Sequence, residues 1–375
     1  MNDTIHRVKT GDSRDLGFIP ERSVDLVVTS PPYPMIEMWD EPFSGLSEGI
    51  AEAMAAGDGE VAFERMHGEL DKTWSELFRV LKPGGFACIN IGDATRTIGK
   101  RFRLYSNHTR IVRHCTRIGF DALPVILWRK QTNAPNKFMG SGMLPAGAYV
   151  TLEHEYILIF RKGAKREFVS AEEKELRHRS AIFWEERNQW FSDVWFDLKG
   201  ASQVLNDTEL RKRSAAYPFE LAYRLVNMYS VQGDTVLDPF LGTGTTLLAA
   251  MASGRNSIGV EIDPAFRCNV IKLACNSGVV LNARVEKRIA GHVAFAKERS
   301  QSRKPCKYTN ENHGFPVMTN QERRLDISFV RSIDAINDGT VKVTYDRSSS
   351  FNRPPADEWM SGKRKDDGRQ MWLDI

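Results

Sequence analysis

Residues 235–261, TVLDPFLGTGTTLLAAMASGRNSIGVE, constrain the fold more than any other stretch of the 375-residue chain. They read as a short apolar strand, a glycine turn, an apolar helix and a second strand. Two strands joined through one helix run parallel, and a parallel sheet needs helices over both faces. Further strands are expected over residues 4–12, 24–29, 86–91, 123–129 and 155–160. Leu70, Trp74, Leu77 and Leu81 recur at helical spacing, and Lys82-Pro83-Gly84-Gly85 is expected to end that helix. Residues 217–230 read as an amphipathic helix. Residues 326–336 and 341–345, joined through Asn337-Asp338-Gly339, read as a hairpin. The expected class is therefore α/β with a mostly parallel sheet.

Two stretches interrupt this pattern. Residues 34–66 are rich in glycine and acid and read as a mobile loop, with helix only around 48–56. Residues 162–213 are charged, with Trp184, Trp190 and Trp195 among arginines and lysines, and read as a peripheral segment. No apolar run approaches the roughly 18 residues of a membrane span. The N-terminus MNDTIHRVKTGD has no apolar signal-peptide core, so a cytoplasmic protein is expected. Five scattered cysteines without a C-x-x-C pair suggest neither a zinc site nor a disulfide framework, and no metal is expected. With 52 Lys+Arg against 48 Asp+Glu, the net charge of +4 is too small to identify a nucleic-acid partner. The excess lies in residues 286–375, which hold 17 basic and 13 acidic side chains.

Two constellations carry chemistry. In the first, a strand ends at Asp238, followed by Pro239 and Phe240, and Gly242 and Gly244 let the backbone turn tightly toward a ligand. Thr245 and Thr246 open the helix, whose free N–H groups face the same place. Glu261, followed by Ile262, ends the next strand, where a carboxylate can accept both hydroxyls of a ribose. Together they suit an adenosine site of the Rossmann kind. No Gly-Lys-Ser/Thr follows, so this is not a nucleotide-triphosphate loop. In the second, Thr29-Ser30-Pro31-Pro32-Tyr33 follows a buried strand, and the two prolines stop the ladder and hold the carbonyls of Ser30 and Pro31 rigidly outward. A rigid carbonyl and a hydroxyl can accept hydrogen bonds from an amino group, and Tyr33 can stack on a planar base.

The pair resembles the β-group of DNA amino-methyltransferases, in which the catalytic motif comes first in the chain and the cofactor loop late. Ser30 precedes Gly242 in that circularly permuted order. Gly11-Asp12, residues 79–85 (RVLKPGG), 126–130 (ILWRK), 154–160 (HEYILIF) and 192–195 (SDVW) resemble further blocks of the family, over about residues 5–275. The resemblance implies a Rossmann-like fold with a seven-stranded, mostly parallel sheet, and S-adenosylmethionine as cofactor. It implies that Asp12 holds the adenine amino group and that Tyr217 and Pro218 lie near the methionine moiety. Residues 213–217 depart from the His-Pro-like pair that usually opens that helix. The implied partner is double-stranded DNA, with a cognate restriction endonuclease as functional companion. An SPPY motif usually accompanies cytosine N4 in this family, and a DPPY motif adenine N6. The implied division is a catalytic half (1–161), a target-recognition segment (162–213), a cofactor half (214–285) and a C-terminal extension (286–375). Lys165, Arg166, Arg177, Arg179, Arg211 and Arg213 are candidate DNA contacts of the second segment, the rival being a solvated basic face with the tryptophans packed on the core. The hairpin and Lys363-Arg364-Lys365 are candidates in the last, the rival being salt-bridged decoration.

Other features are decoys. Pro305-Cys306 with Glu311 superficially suggests thiolate attack on cytosine, but the pieces lie close together and follow no matching core. His154-Glu155 has no second histidine four residues on, so it is no zinc-protease motif. Adenine N6 transfer, an RNA or protein methyltransferase, and a silent DNA-binding subunit are the alternative functions.

Overall fold

The computed structural model describes residues 3–130, 139–199, 217–302 and 304–346. The elements run β1 (Thr4–Thr10), β2 (Val24–Thr29), α1 (Asp40–Leu46), α2 (Glu48–Ala55), α3 (Gly59–Val80), β3 (Leu81–Ile91), β4 (Ala94–Ile98), β5 (Arg101–Tyr105), α4 (Asn107–Arg117) and β6 (Phe120–Arg129). Then follow the short pair β7 (Met139–Gly140) and β8 (Ala148–Tyr149), β9 (His154–Lys162), α5 (Ala171–Arg179), α6 (Trp184–Trp190) and β10 (Val194–Trp195). The chain continues through α7 (Phe219–Tyr229), β11 (Thr235–Asp238), α8 (Thr245–Ser253), β12 (Asn256–Glu261), α9 (Pro264–Asn276) and α10 (Gly278–Ser300). It ends with β13 (Tyr308–Thr309), β14 (Pro316–Val317), β15 (Phe329–Asn337) and β16 (Thr340–Asp346).

The main sheet has ten strands in the order β10-β6-β9-β3-β2-β11-β12-β1-β16-β15. The expected seven-stranded unit lies inside it, from β6 to β1. There β9 is antiparallel to both neighbours, while β3-β2-β11-β12-β1 are all parallel. The additional strands lie outside the seven. β10 extends one edge through Trp195, opposite Trp128, and the C-terminal hairpin extends the other. The hairpin pairs along β1, with Thr4 opposite Val343, and covers an edge that would otherwise present unpaired N–H groups.

Period-two alternation divides the strands between two apolar cores. Leu26, Val28, Ile157 and Ile159 face one core with Leu221 of α7 and Leu247 of α8. Val27, Ala87, Ile89 and Leu158 face the other with Trp74 and Leu77 of α3. Burying a large apolar side chain is worth roughly 1.5–3 kcal/mol, so these alternations fix which face each strand presents.

Two local expectations are corrected. Residues 34–66 are largely helical, with α1, α2 and the start of α3 burying Phe43, Ile50, Ala62 and Met66. Their glycines and acids occupy turns and exposed faces, which hid the apolar stripe. Lys82-Pro83-Gly84-Gly85 does not cap α3, which ends at Val80. It forms an irregularity inside β3, where pairing with β2 jumps from Leu81 to Phe86 and Gly84 takes φ +80°.

Candidate active site

The glycine turn lies between β11 and α8. Gly244 has φ +88°, and a Cβ there would come within 2.8 Å of Val270 Cγ1. Leu241 N–H donates to Val260 O at 2.9 Å, carrying the turn across β12. Glu261 accepts from the backbone N–H of Gly242 (2.8 Å) and of Asp263 (3.1 Å), one on each oxygen. Burial raises its pKa above the ordinary value, against those two hydrogen bonds. Each oxygen keeps a lone pair, so hydroxyl donors can still be accepted.

Asp238 is buried and crowded with partners. It accepts from Thr29 Oγ1 (2.6 Å), Thr246 Oγ1 (2.7 Å), Tyr217 Oη (3.3 Å) and Phe240 N (3.1 Å). Burial raises its pKa. Thr29 ends β2 and immediately precedes Ser30, so Asp238 ties the glycine turn to the strand that leads into the Ser30–Tyr33 turn. Tyr217 also hydrogen-bonds Thr246, and Pro218 caps α7. At the far wall, Asp12 accepts from Arg14 Nε (2.9 Å) and Nη2 (2.6 Å), and Arg14 also pairs with Glu69. Burial opposes ionisation of Asp12, but the Arg14 hydrogen bonds and charge outweigh it and hold the carboxyl below its ordinary range.

The Ser30–Tyr33 turn leaves the C-terminal end of β2, the edge where open parallel sheets bind ligands. It is anchored from behind. Tyr33 O accepts from Ile36 N at 3.2 Å, and Asn107 Nδ2 donates to Pro34 O (3.1 Å) and Gly92 O (2.9 Å). Met35, at φ +67°, turns the chain into α1. Ser30 Oγ donates to Tyr33 Oη at 3.1 Å.

Both constellations open on one cleft of about 540 Å³. Asp12, Ser30, Pro31, Pro32, Tyr217, Asp238, Pro239, Phe240, Gly242, Thr245, Glu261 and Ile262 line it. Tyr33, Pro218, Gly244 and Thr246 do not, and stand behind the wall. The volume suits a small-molecule cofactor. A glycine turn, a helix start and a carboxylate with spare lone pairs fit its adenosine part. Among the described residues no group of three or more His, Cys, Asp or Glu is arranged to hold a metal ion, and no helix is long and apolar enough to cross a membrane.

Sequence reasoning missed several residues. Trp39 and Phe43 line the cleft because the segment expected as a loop is helical. Arg14 and Glu69 flank Asp12. Asn90, Lys130 and Glu155 gather around Tyr33. The stretches that contain these three are legible as strands, but nothing local marks the polar residues as partners of Tyr33.

Two of the candidate DNA contacts of residues 162–213, Arg166 and Arg179, are paired with carboxylates of the chain itself. Arg166 pairs with Asp234 (2.7 Å) and Asp25 (3.5 Å), beside the starts of β11 and β2, at the sheet edge opposite the cleft. Arg179 pairs with Asp326 at 3.0 Å, and Arg177 lies over the Phe168 ring. Buried carboxylates claim Arg166 and Arg179 before any phosphate could. Arg211, Arg213 and Lys363-Arg364-Lys365 lie outside the described residues. Cys306 lies 3.6 Å from Met318 Sδ, and burial raises its pKa.

The sequence pattern of the DNA methylase family matches residues 24–272. The Type II methyltransferase M.MthZI of Methanothermobacter thermautotrophicus is 53% identical over 344 residues, covering 91% of this chain and 95% of that one. The Type II methyltransferase M.MjaI of Methanocaldococcus jannaschii is 50% identical over 275 residues, covering 70% and 89%. Among solved structures, the putative DNA modification methylase TTHA0409 of Thermus thermophilus, complexed with S-adenosyl-L-methionine, aligns with a TM-score of 0.55 at 35% identity, covering 71% of this chain and 93% of that one. With the family pattern spanning both halves of the cleft, the chain belongs to the DNA methylase family of amino-methyltransferases.

Proposed function

We propose that the protein is a Type II, site-specific DNA methyltransferase that moves a methyl group from S-adenosylmethionine to the exocyclic N4 of a cytosine flipped out of duplex DNA. The observation that carries the reading is the Ser30-Pro31-Pro32 wall facing the glycine turn and Glu261 across one cleft. S-adenosylmethionine supplies a methyl group on a positively charged sulfur. Glu261 accepts the ribose hydroxyls, and the cleft wall near Asp12 meets the adenine. Ser30 gives its proton to Tyr33, so its oxygen faces the cleft as an acceptor. An exocyclic amine delocalises its lone pair into the ring. Hydrogen bonds from its two N–H groups to Ser30 Oγ and Pro31 O favour a pyramidal, more nucleophilic nitrogen. The amine proton is lost after transfer, and much of the acceleration is positioning. The target base leaves the duplex because its amine is otherwise paired.

Ser30 in place of an aspartate supports cytosine N4. In this reading the enzyme acts in the cytoplasm and protects host DNA from a companion endonuclease. Nucleoside mass spectrometry on DNA from cells expressing the protein, with Ser30→Ala as control, tests it. N4-methylcytosine that disappears in the variant is the expected result. N6-methyladenine instead would overturn the base assignment, and no methylated base would overturn the reaction.

A further inference from the structure

Glu155, at the second position of β9, is a buried carboxylate that neither cofactor binding nor the amine itself requires. We propose that Glu155, held by Lys130, is a positioning residue for methyl transfer that acts through Tyr33 to keep the Ser30 oxygen free as an acceptor. The inference rests on the amino-methyltransferase reading above.

Hydrogen-bond direction at Tyr33 sets the polarity of Ser30. Tyr33 Oη has three neighbours: Ser30 Oγ at 3.1 Å, Asn90 Nδ2 at 2.8 Å and Glu155 Oε2 at 2.9 Å. A phenol has one proton and two lone pairs, so three partners saturate it. Asn90 Nδ2 can only donate, and a carboxylate oxygen can only accept. Tyr33 must therefore give its proton to Glu155 and accept from the other two. The Ser30 proton is thereby drawn away from the cleft, and the lone pairs of Ser30 Oγ remain for an amino group. Burial and the charge of Glu155 push the Tyr33 hydroxyl well above its ordinary pKa, so the proton stays on Tyr33.

The surroundings enforce this polarity. Asn90 Nδ2 also donates to Glu155 Oε2 at 2.7 Å, while its own Oδ1 is buried without a partner among the described residues. Leaving a buried amide oxygen unpaired is unfavourable, so the amide is turned toward the carboxylate against its own full satisfaction. Lys130 Nζ donates to the other oxygen, Oε1, at 2.9 Å, and supplies the opposite charge that a buried carboxylate needs. The residues come from just past the end of β6, the C-terminal end of β3, the start of β9 and the turn after β2. Packing alone would be served equally well by a neutral Gln at 155. A Gln has one acceptor oxygen, for which Lys130 would compete with Tyr33, whereas the two carboxylate oxygens accept from Lys130 and from Tyr33 and Asn90 at once.

The test is a double-mutant cycle on the full-length protein with unmodified genomic DNA. Methylated nucleoside is measured in a single turnover, and S-adenosylmethionine affinity by calorimetry. Glu155→Gln and Tyr33→Phe are each expected to slow the single turnover at least about 10-fold, with cofactor Kd within about twofold of wild type. The double variant is expected to be no slower than the slower single variant, because both act through one path. Multiplying effects, or a parallel loss of cofactor affinity, would mark a merely structural role and overturn the proposal. Lys130→Met, at a half-exposed side chain, decides the matter if Glu155→Gln fails to fold. A several-fold slower turnover at unchanged cofactor Kd supports the proposal, and an unchanged turnover overturns it. An inactive wild type removes the parent reading. An active wild type with Glu155→Gln within twofold of it removes this inference alone.

Discussion

On the β11–β12 side of the cleft, the ligand-facing groups come from one short run of chain, Asp238 to Phe266. On the β2 side, the linked polar groups come from Ser30, Tyr33, Asn90, Lys130 and Glu155, most of them on separate elements. The first side works through backbone shape, with Gly244 at φ +88° and Glu261 tied to the Gly242 N–H. The second works through the direction of side-chain hydrogen bonds. A local strand-turn-helix can hold a cofactor by conformation, whereas orienting a reacting amine needs donors and acceptors converging from several strands. Asp238 bridges the two through Thr29 and Thr246.

That contrast is broken most directly by Ser30→Ala. Removing an acceptor used only on the reacting side is expected to lower kcat by about 100-fold or more while leaving cofactor Kd within about twofold. Equal loss of both in a turnover and binding comparison would show that the two sides are not separable. Glu261→Ala is the converse. Losing hydrogen bonds to a charged acceptor, about 1.5–3 kcal/mol, weakens S-adenosylmethionine binding by about 10- to 100-fold. Calorimetry checks it, and saturating cofactor should restore most of the turnover.

The same contrast decides what was legible in the sequence. The cofactor side could be read directly, because Asp238, Gly242, Gly244 and Glu261 are close in the chain and their residue types state their conformational purpose. Ser30 to Tyr33 was legible because two prolines announce a rigid turn. Asn90, Lys130 and Glu155 were not, because an isolated polar residue in an apolar strand does not say what lies across the sheet. The helices over residues 40–66 were hidden by glycines and acids that fall at turns and on exposed faces. Most instructive is Arg166. Its basic setting suggested phosphate, yet buried Asp234 lies 2.7 Å away. Charge in sequence does not report the partner that folding supplies.

Arg166→Ala sharpens that point. It strips the cation from a buried carboxylate, which is expected to cost about 1–3 kcal/mol and lower Tm by a few degrees. The salt dependence of DNA binding should not change. A slope reduced by about one in a log–log plot of affinity against salt would return Arg166 to a phosphate contact.

The smallest expected effect separates two carboxylates on neighbouring strand ends of the cleft, Asp12 after β1 and Glu261 at the end of β12. For Asp12, burial opposes ionisation but Arg14 prevails, and the folded pKa lies below the ordinary 3.8. Its contribution to stability is present above the unfolded pKa and is lost as pH falls through the folded one. For Glu261, burial raises the folded pKa above the ordinary 4.5. Its contribution is present below the unfolded pKa and is lost as pH rises through the folded one. On mild acidification Glu261 therefore takes up a proton first, while Asp12 stays paired with Arg14. A protonated Glu261 has less acceptor capacity for ribose hydroxyls. Cofactor Kd is expected to rise a few-fold as pH falls through the raised Glu261 pKa, at pH values where Asp12 is still ionised. Glu261→Gln, which cannot titrate, should bind more weakly at neutral pH and show a flat profile. A pH-dependent Kd that persists in Glu261→Gln would transfer the effect to Asp12 or Asp238.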